Sequence, residues 1–493
     1  MRNYLFIFFF VLANFVIAQD NIFHDRNFWK QNPSIEKIEI LISQGNDISS
    51  LNSNAFDAVT WALIEKVDNE TVKYLLSKEG NGVNKLTHDG RTYIFWAAYK
   101  DNLEMMKYLV DRGAKTDIID SHGYSVFNFA ATTGQQNIEL YDFLIENGAK
   151  PTEEINHNGA NAILLIAPFV SDFRVIDYFE SLGLDKNSKD EHGNGSFNYA
   201  AKGGNISFLE ALIEKDYDYK TLNKFGGNAF MMASQGRRGH TNSLKVYQFL
   251  DNIGLESNIV GKDGKSPLHN IAYRNSDVET IKFFLNQGMD VNLQDINGNT
   301  PFINASRSNS IAVVKLLRPF VTDINRQNQE GQSALTLAFR NNSVEVVNYL
   351  LENGADINII DKKGNSLPYY LLNSFNNKDQ FEAKLKILKG NSISLRDTQQ
   401  NGNTLLHEAI LMGNKNLVER VLPFRININA KNDEGNTALH LAAMKAKNED
   451  ILRLLITNGA DKSIKTEFEE SVYDLALENE LLKLDKTNIE FLK

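Results

Sequence analysis

Glycine recurs along this chain at nearly equal intervals, and this recurrence limits the possible folds more than any other feature of the sequence. The spacings run from 33 to 38 residues between Gly90, Gly123, Gly159, Gly193, Gly226, Gly264, Gly298, Gly331, Gly364, Gly402 and Gly435. Extending the register by motif alignment to Ala55 and Glu469 gives a mean period of 34.5 residues. A fixed period of this length indicates a stack of small repeated units. It argues against the roughly three globular domains that 493 residues would otherwise suggest.

Each unit has the same internal pattern, which residues 331–358 show most completely. Gly331 suits a turn with positive φ, and Ser333, two residues later, can cap a first short helix. Ser343 can cap a second helix, whose apolar residues recur at helical spacing: Val344, Val347, Leu350 and Leu351. Gly354 then stands where a left-handed residue ends a helix. The unit is therefore predicted to be turn, helix, turn, helix and an extended finger.

The sequence resembles the ankyrin repeat family at these positions. The family pattern G-x-T-P-L-H-x-A is nearest to residues 264–272, 402–409 and 435–442, and N-G-A-D-x-N is kept at 353–358. Units between 55 and 257 depart further from it but keep the period and the alanine positions. The resemblance implies an all-α solenoid of helix-turn-helix units with short β-hairpin-like fingers. It covers roughly residues 28–485, and we assign capping helices to 19–54, about twelve ankyrin repeats to 55–468 and a capping helix to 469–493.

The first eighteen residues have the pattern of a signal peptide. An apolar run of 14 residues, from Tyr4 to Ile17, follows the positive charge of Arg2. This run is too short for a spanning helix of about 20 residues and fits a signal-peptide core of about 7–15. We predict cleavage near Ala18 and a periplasmic or secreted protein with no integral membrane span. An uncleaved N-terminal anchor is the alternative.

Composition excludes several kinds of function. The chain contains no cysteine, so disulfides, thiolate metal sites and cysteine nucleophiles are excluded. With 62 acidic and 52 basic residues its formal charge is −10, which argues against a nucleic-acid partner because phosphate binding depends on Lys and Arg. No Gly-rich phosphate loop and no catalytic triad stand apart from the repeat register. We therefore predict no cofactor and no metal.

Four histidines stand one or two residues before the turn glycine of successive fingers: His88, His122, His157 and His192. They could form a strip that contacts a partner or responds to pH. They could also be polar turn residues in solvent. A zinc site is the least favoured alternative, because zinc needs ligands about 2.0–2.1 Å from one ion and side chains one repeat apart rarely converge that closely.

Four cations lie two residues after an alanine near the end of a first helix: Lys202, Arg274, Arg307 and Arg340. They could receive an acidic peptide or a carboxylate-rich partner. Alternatively, each one stabilises the negative end of its helix by about 0.3–1 kcal/mol. Three further histidines of the repeats, His269, His407 and His440, occupy the position where the family resemblance implies a brace between loops.

The expected function is that of a non-catalytic, monomeric scaffold which binds a partner protein along its concave face. In the ankyrin family this face is formed by the finger tips and the far ends of the first helices. A specific form would inhibit or protect one exported enzyme or toxin. A structural or envelope-organising protein with several partners is the alternative, and an enzyme comes third.

Overall fold

The computed structural model describes residues 21–484 and 487–493, so the predicted signal peptide lies outside the described residues. The described chain is helical throughout, and no β-ladder longer than an isolated bridge occurs in it. The two bridges pair Arg237 with His240 and Lys431 with Thr437. The all-α solenoid prediction is confirmed. No helix in the described part of the chain is long and apolar enough to cross a membrane.

The helices group into two compact units. The first unit ends at Asn223, and its helices among the described residues are α1 (Arg26–Trp29), α2 (Ile35–Ser43), α3 (Ala58–Ile64), α4 (Asn69–Leu76), α5 (Tyr93–Tyr99), α6 (Leu103–Asp111), α7 (Val126–Thr132), α8 (Ile138–Glu146), α9 (Ala162–Ile166), α10 (Arg174–Ser181), α11 (Ser196–Gly203) and α12 (Ile206–Glu214).

The second unit begins at Lys224 and continues the alternation of first and second helices. Its helices are α13 (Ala229–Gln235), α14 (Leu244–Asn252), α15 (Pro267–Arg274), α16 (Val278–Asn286), α17 (Pro301–Ser308), α18 (Ile311–Leu317), α19 (Ala334–Asn341), α20 (Val344–Glu352), α21 (Leu367–Leu372), α22 (Lys378–Gly390), α23 (Leu405–Leu411), α24 (Lys415–Val421), α25 (Ala438–Lys445), α26 (Asp450–Thr457), α27 (Val472–Glu478) and α28 (Glu480–Leu484).

Most of the helices begin at a residue whose side chain caps them. Ser333 Oγ accepts a hydrogen bond from Thr336 N at 3.3 Å, and Ser343 Oγ accepts one from Val346 N at 3.4 Å. The first helices are buried on nearly all sides, whereas each second helix buries one apolar face. Each unit therefore has a core that runs between its two layers of helices.

The turn position requires a left-handed backbone even where glycine is missing. Gly331 has φ of 80°, and a Cβ added there would lie 2.4 Å from Lys362 N. Ala55 and Glu469, which the sequence places in the same register, have φ of 58° and 62°. These two residues thus adopt the left-handed backbone of the turn at the cost of conformational strain.

Main-chain hydrogen bonds join successive fingers within each unit. In the first unit, Ser121 N donates to Asp89 O at 2.9 Å, and His157 N donates to His122 O at 3.2 Å. In the second unit, Ile296 N donates to Asp263 O at 2.7 Å. One such bond per repeat fixes the register of neighbouring fingers, so equivalent side chains lie in columns.

Asparagine amides also join successive first helices in the second unit. Asn309 Nδ2 donates to Ala272 O at 2.7 Å and to Asn275 O at 2.9 Å. Asn342 and Asn479 make the same pair of bonds to the carbonyls of Ser306 and Asn309 and of Ala443 and Ala446, respectively.

The series of asparagines stops in the repeat that begins at Gly364 and resumes at Asn479, because Gly413 and Ala446 stand at the equivalent positions of the two repeats between them. There Phe375 stands in place of the asparagine, in a 3₁₀ turn spanning Asn373–Asn376. The carbonyl of Phe339 accepts instead from Lys384 Nζ, 2.7 Å away on the long helix α22. A buried lysine thus replaces the amide.

The single capping helix assigned to residues 469–493 is divided in the structure. The chain forms two helices there, α27 and α28, separated at Asn479. Asn479 has φ of −69° and ψ of 106°, and its side chain is held by the carbonyls of the preceding repeat. The chain therefore continues the helix-turn-helix pattern at its C-terminal end.

Candidate functional site

The four predicted histidines lie on the fingers of the first unit, and the structure brings two of them together. His88 Nε2 lies 3.4 Å and His122 Nε2 lies 3.2 Å from the same oxygen, Oδ2 of Asp89. Nδ1 of His88 lies 2.9 Å from the carbonyl of Asn54, and its ring stacks on Phe56 at 4.5 Å between centroids. Two imidazoles of neighbouring fingers therefore share one carboxylate.

An arginine also contacts that carboxylate. Arg91 donates from a terminal nitrogen to Asp89 at 3.1 Å and from Nε to Asp120 at 2.8 Å. Asp120 is fully buried in its side chain, so Arg91 is held in place. Asp89 is therefore in contact with one guanidinium and two imidazoles. In the described residues no set of three or more His, Asp or Glu side chains is arranged to hold a metal ion.

The other two histidines lie on the two fingers that follow. His157 is exposed, and its main-chain N–H makes the bond to the finger of His122. His192 is half-buried, and its main-chain N–H donates to Asp190 Oδ1 at 3.0 Å. The predicted strip of four is thus one pair with a shared carboxylate and two further finger residues.

The predicted cations lie at the ends of first helices, as the sequence indicated, but in different units. Lys202 is in the first unit, near the end of α11, with Nζ 5.5 Å from the ring centre of Tyr199. Arg274, Arg307 and Arg340 are in the second unit, in the last turns of α15, α17 and α19.

The three arginines of the second unit point to solvent. The guanidiniums of Arg274 and Arg307 lie 5.9 and 5.6 Å from the ring centre of Tyr273, so both cations contact one aromatic side chain. Arg274 also donates to the carbonyl of Gln235 at 3.3 Å. No carboxylate of the described chain lies within 4.0 Å of Arg274, Arg307 or Arg340. We call these three residues the arginine set.

The two units also differ in net charge. Residues 21–223 contain 19 Lys and Arg against 30 Asp and Glu, a formal charge of −11. Residues 224–493 contain 32 basic and 31 acidic residues and are nearly neutral. The acidic balance of the sequence therefore comes from the first unit.

Three further histidines of the repeats brace neighbouring loops, as the resemblance implies. His269 Nε2 lies 3.0 Å from Leu293 O, His407 Nε2 lies 3.1 Å from Asn436 O, and His440 Nε2 lies 2.9 Å from Ile464 O. In each case a main-chain N–H donates to Nδ1, so the ring is neutral with its proton on Nε2. Burial lowers the pKa of all three.

Two asparagines of the first unit occupy this histidine position without completing the brace. Asn128 is fully buried, and neither of its amide atoms has a hydrogen-bond partner among the described residues. Asn198 Nδ2 is likewise unpartnered within the described chain, beside a small cleft lined by Gly195 and Thr221. The shorter amide does not span the distance that imidazole spans in the other repeats.

Sequence reasoning missed a column of exposed aliphatic side chains in the first unit. Four residues before the turn position, successive fingers carry Leu51, Leu86, Ile119 and Ile155, which are 40, 60, 56 and 56% exposed. The signal was present in the register, because each residue stands at the same place in its repeat. We call these four residues the aliphatic column.

A family model that describes three consecutive ankyrin repeats matches this chain six times, at residues 30–120, 61–155, 197–295, 230–328, 268–361 and 373–466. These matches together cover more than half of the chain. The chain belongs to the ankyrin repeat family. Its two layers of helices, hydrogen-bonded fingers and loop histidines are those of an ankyrin array.

Individual relatives resemble parts of this ankyrin protein. A putative ankyrin repeat protein of Fowlpox virus is 29% identical over 34% of this chain and 87% of its own length. A putative ankyrin repeat protein of Rickettsia felis is 25% identical over 57% of this chain and 70% of its own. The solved human ASB11 ankyrin repeat domain is 24% identical, with a TM-score of 0.37, over 45% of this chain and 97% of that domain.

Membership in this family establishes the general role of the chain. Ankyrin arrays are protein-protein interaction scaffolds, and the fold is generally non-catalytic. The side chains that meet a partner are those that the repeat pattern leaves free. In this ankyrin protein the exposed side chains outside the repeat pattern include the arginine set, the histidine pair around Asp89 and the aliphatic column.

Proposed function

We propose that this ankyrin protein is exported and binds an acidic segment of one partner protein through the arginine set of its second unit. The carrying observation is that three arginines, at the ends of three successive first helices, have no carboxylate within 4.0 Å in the described chain. Guanidinium binds carboxylate in a bidentate geometry and is only weakly hydrated, which suits it to such a contact.

Internal pairing of other cations supports this assignment. Lys73 contacts both Glu70 and Glu104, and Arg420 contacts Glu382. The arginines at the ends of α15, α17 and α19 lack such neighbours within the described residues and rest on the ring of Tyr273 or point to solvent. A cation held against an aromatic face loses less side-chain entropy when a partner binds it.

A capture experiment tests the role. The tagged full chain is used to recover proteins from the exported fraction of the native cell, alongside the Arg307→Glu/Arg340→Glu variant. We expect one stoichiometric partner with the native protein and its loss with the charge-reversed variant. Lys245→Glu/Lys282→Glu, on second helices of the same unit, is the matched control and should retain the partner.

The outcome of this capture separates the specific forms of the proposal. A single partner whose enzymatic or toxic activity changes on binding supports an inhibitor or protector. Several substoichiometric partners would contradict the one-partner form and favour an envelope-organising role. Retention of the partner by the charge-reversed variant would exclude the arginine set.

Export is part of the same proposal and rests on the apolar run from Tyr4 to Ile17. N-terminal sequencing of the protein purified from its native source should begin at Gln19. A chain that begins at Met1 and fractionates with membranes would instead indicate an uncleaved anchor.

A further inference from the structure

We propose that the aliphatic column of the first unit binds an extended segment of a partner protein that presents a large aliphatic side chain at every third residue and basic side chains between them. The inference rests on the proposed scaffold role but concerns a different surface from the arginine set.

Three of the four side chains, those of Leu86, Ile119 and Ile155, face the same side of their fingers. Successive residues of an extended chain point to opposite sides. The residue after each of Leu86, Ile119 and Ile155 is buried, with 4% exposure at Thr87, 4% at Asp120 and 6% at Asn156. The aliphatic residues before them therefore point outward, and the bonds between fingers keep them in one line.

The spacing of the column selects an extended occupant. Stacked repeats are separated by about one helix-packing distance, roughly 8–10 Å. A polyproline II chain rises about 3.1 Å per residue with three residues per turn, so it returns to the same face about every 9.3 Å. A side chain at every third position of such a segment therefore meets successive members of the column.

The area of the column argues against a second copy of this chain. A line of four half-exposed aliphatic residues offers at most the few hundred Å² typical of a functional surface patch. A standard protein-protein interface buries about 800 Å² on each partner. One narrow segment fits this surface better than a globular face.

Charge next to the column favours basic residues in that segment. Asp117 and Glu153 are exposed and stand two residues before Ile119 and Ile155. Lys150 lies 3.2 Å from Glu153, but this exposed pair is worth little and can exchange partners. The unit as a whole carries a formal charge of −11. Lysine or arginine between the aliphatic residues therefore complements the surface.

The second unit lacks the corresponding feature. At the same register position Gln294 and Gln327 donate from their side chains to the carbonyls of Gly298 and Gly331, at 3.2 and 2.6 Å. Val260 and Ile360 are exposed there but are separated by these glutamines. An aliphatic residue of the second unit is therefore an isolated surface side chain and provides a matched control.

The test uses a fluorescent synthetic peptide of about 12 residues, four Pro-Lys-Leu triplets, and a permuted peptide of the same composition with its leucines adjacent. Fluorescence anisotropy is measured with the full chain. We expect the triplet peptide to bind at least about tenfold more tightly than the permuted one. The permuted peptide loses at least two aliphatic contacts, and the binding free energy of two such contacts corresponds to a larger ratio of Kd values than this. Equal binding of the two peptides would overturn the proposal.

Variants locate the site. Ile119→Ser/Ile155→Ser should weaken binding of the triplet peptide by about tenfold or more, whereas Ile360→Ser should leave it unchanged. Asp117→Asn/Glu153→Gln should weaken binding severalfold at low salt and reduce its salt dependence. Unchanged binding by the first double variant would overturn the proposal, and its circular dichroism spectrum reports whether it is folded.

Two further outcomes would assign the column to another occupant and overturn the proposal. One is a dimer that dissociates on Ile119→Ser/Ile155→Ser substitution, measured by sedimentation. The other is a rise in peptide affinity on removal of residues 1–20, which would indicate that the chain's own apolar segment occupies the column. Failure of the column with retention of the captured partner refutes this inference and leaves the proposed function standing.

Discussion

Asn309 donates its side-chain amide to the main-chain carbonyl of Asn275 in the preceding repeat, 2.9 Å away, and to that of Ala272 at 2.7 Å. It is 6% exposed, so both carbonyls depend on it. We expect Asn309→Ala to lower the free energy of unfolding by about 2–3 kcal/mol, the effect of leaving buried polar groups unpaired.

Urea unfolding followed by far-UV circular dichroism measures that loss. All three tryptophans of the chain, Trp29, Trp61 and Trp96, lie in the first unit, so tryptophan fluorescence should shift less than the dichroism signal. Asn341→Ala, at an exposed position at the end of α19, is the control and should change stability by less than about 0.5 kcal/mol. An equal effect of both substitutions would contradict the role given to Asn309.

Lys384 should make stability depend on pH in the alkaline range. Burial lowers its pKa to about 8, whereas an unfolded lysine keeps a pKa of about 10.4. Between these values the unfolded chain binds more protons than the folded one, so stability rises as the pH increases from about 8 to about 10. Lys384→Met should abolish that rise relative to the native protein, as measured by urea midpoints. Parallel pH profiles of stability for the two proteins would refute this contribution of Lys384.

The loop histidines should make the second unit sensitive to acid. Burial lowers the pKa of His407 below its usual value, and Thr404 N donates to its unprotonated Nδ1. Stability is then complete above the unfolded pKa of about 6.5 and is lost as the pH falls below it. His407→Gln should flatten that loss and lower the neutral-pH stability by about 1–3 kcal/mol, because the brace to Asn436 is broken. Thermal unfolding at pH 7.5 and 5.5 measures both effects.

Asn198→His should stabilise the first unit. Imidazole at this position can accept from Gly195 N and reach the carbonyl of Thr221 across the cleft that these residues line. The free energy of unfolding should rise by about 1 kcal/mol, because the imidazole makes hydrogen bonds where the buried Asn198 Nδ2 makes none in the described chain. Tryptophan fluorescence during thermal unfolding provides the measurement. Asn198→Leu fills space without making the bonds, and an equal gain from it would indicate packing alone.

Ala55→Gly should also raise the free energy of unfolding of the first unit, by about 1 kcal/mol, because its φ of 58° is strained for a residue with a side chain. Gly331→Ala is the opposite change. Gly331→Ala should lower stability by more than Ala55→Gly raises it. The new alanine would have the same strained positive φ, and its Cβ would also lie 2.4 Å from Lys362 N. Urea midpoints of the two variants provide the comparison, and a loss on Ala55→Gly would contradict it.

The fold could be predicted from the sequence because an ankyrin unit is defined by local chemistry. Ser333 caps its helix, Gly331 supplies a left-handed turn, and the apolar residues of α20 recur every three or four positions. Each of these features depends on residues close together in the chain. The period then repeats the same local solution along the array.

Candidate binding residues were predictable in position but not in environment. Residue spacing placed Arg274 and Arg307 at helix ends, yet their common contact with Tyr273 depends on the stacking of two repeats. The same holds for His88 and His122, which meet at Asp89 only because neighbouring fingers are hydrogen-bonded in register.

The sequence by itself determined the repeat, its turn glycines and the caps that begin many of its helices, because these follow from backbone preferences within about 34 residues. Tertiary structure alone decided which side chains are used in packing and which remain at the surface. Lys384 is buried because a neighbouring turn lacks an asparagine, and Ile119 is exposed because Asp120 turns inward. Burial is a property of the stacked repeats, and no single repeat contains it.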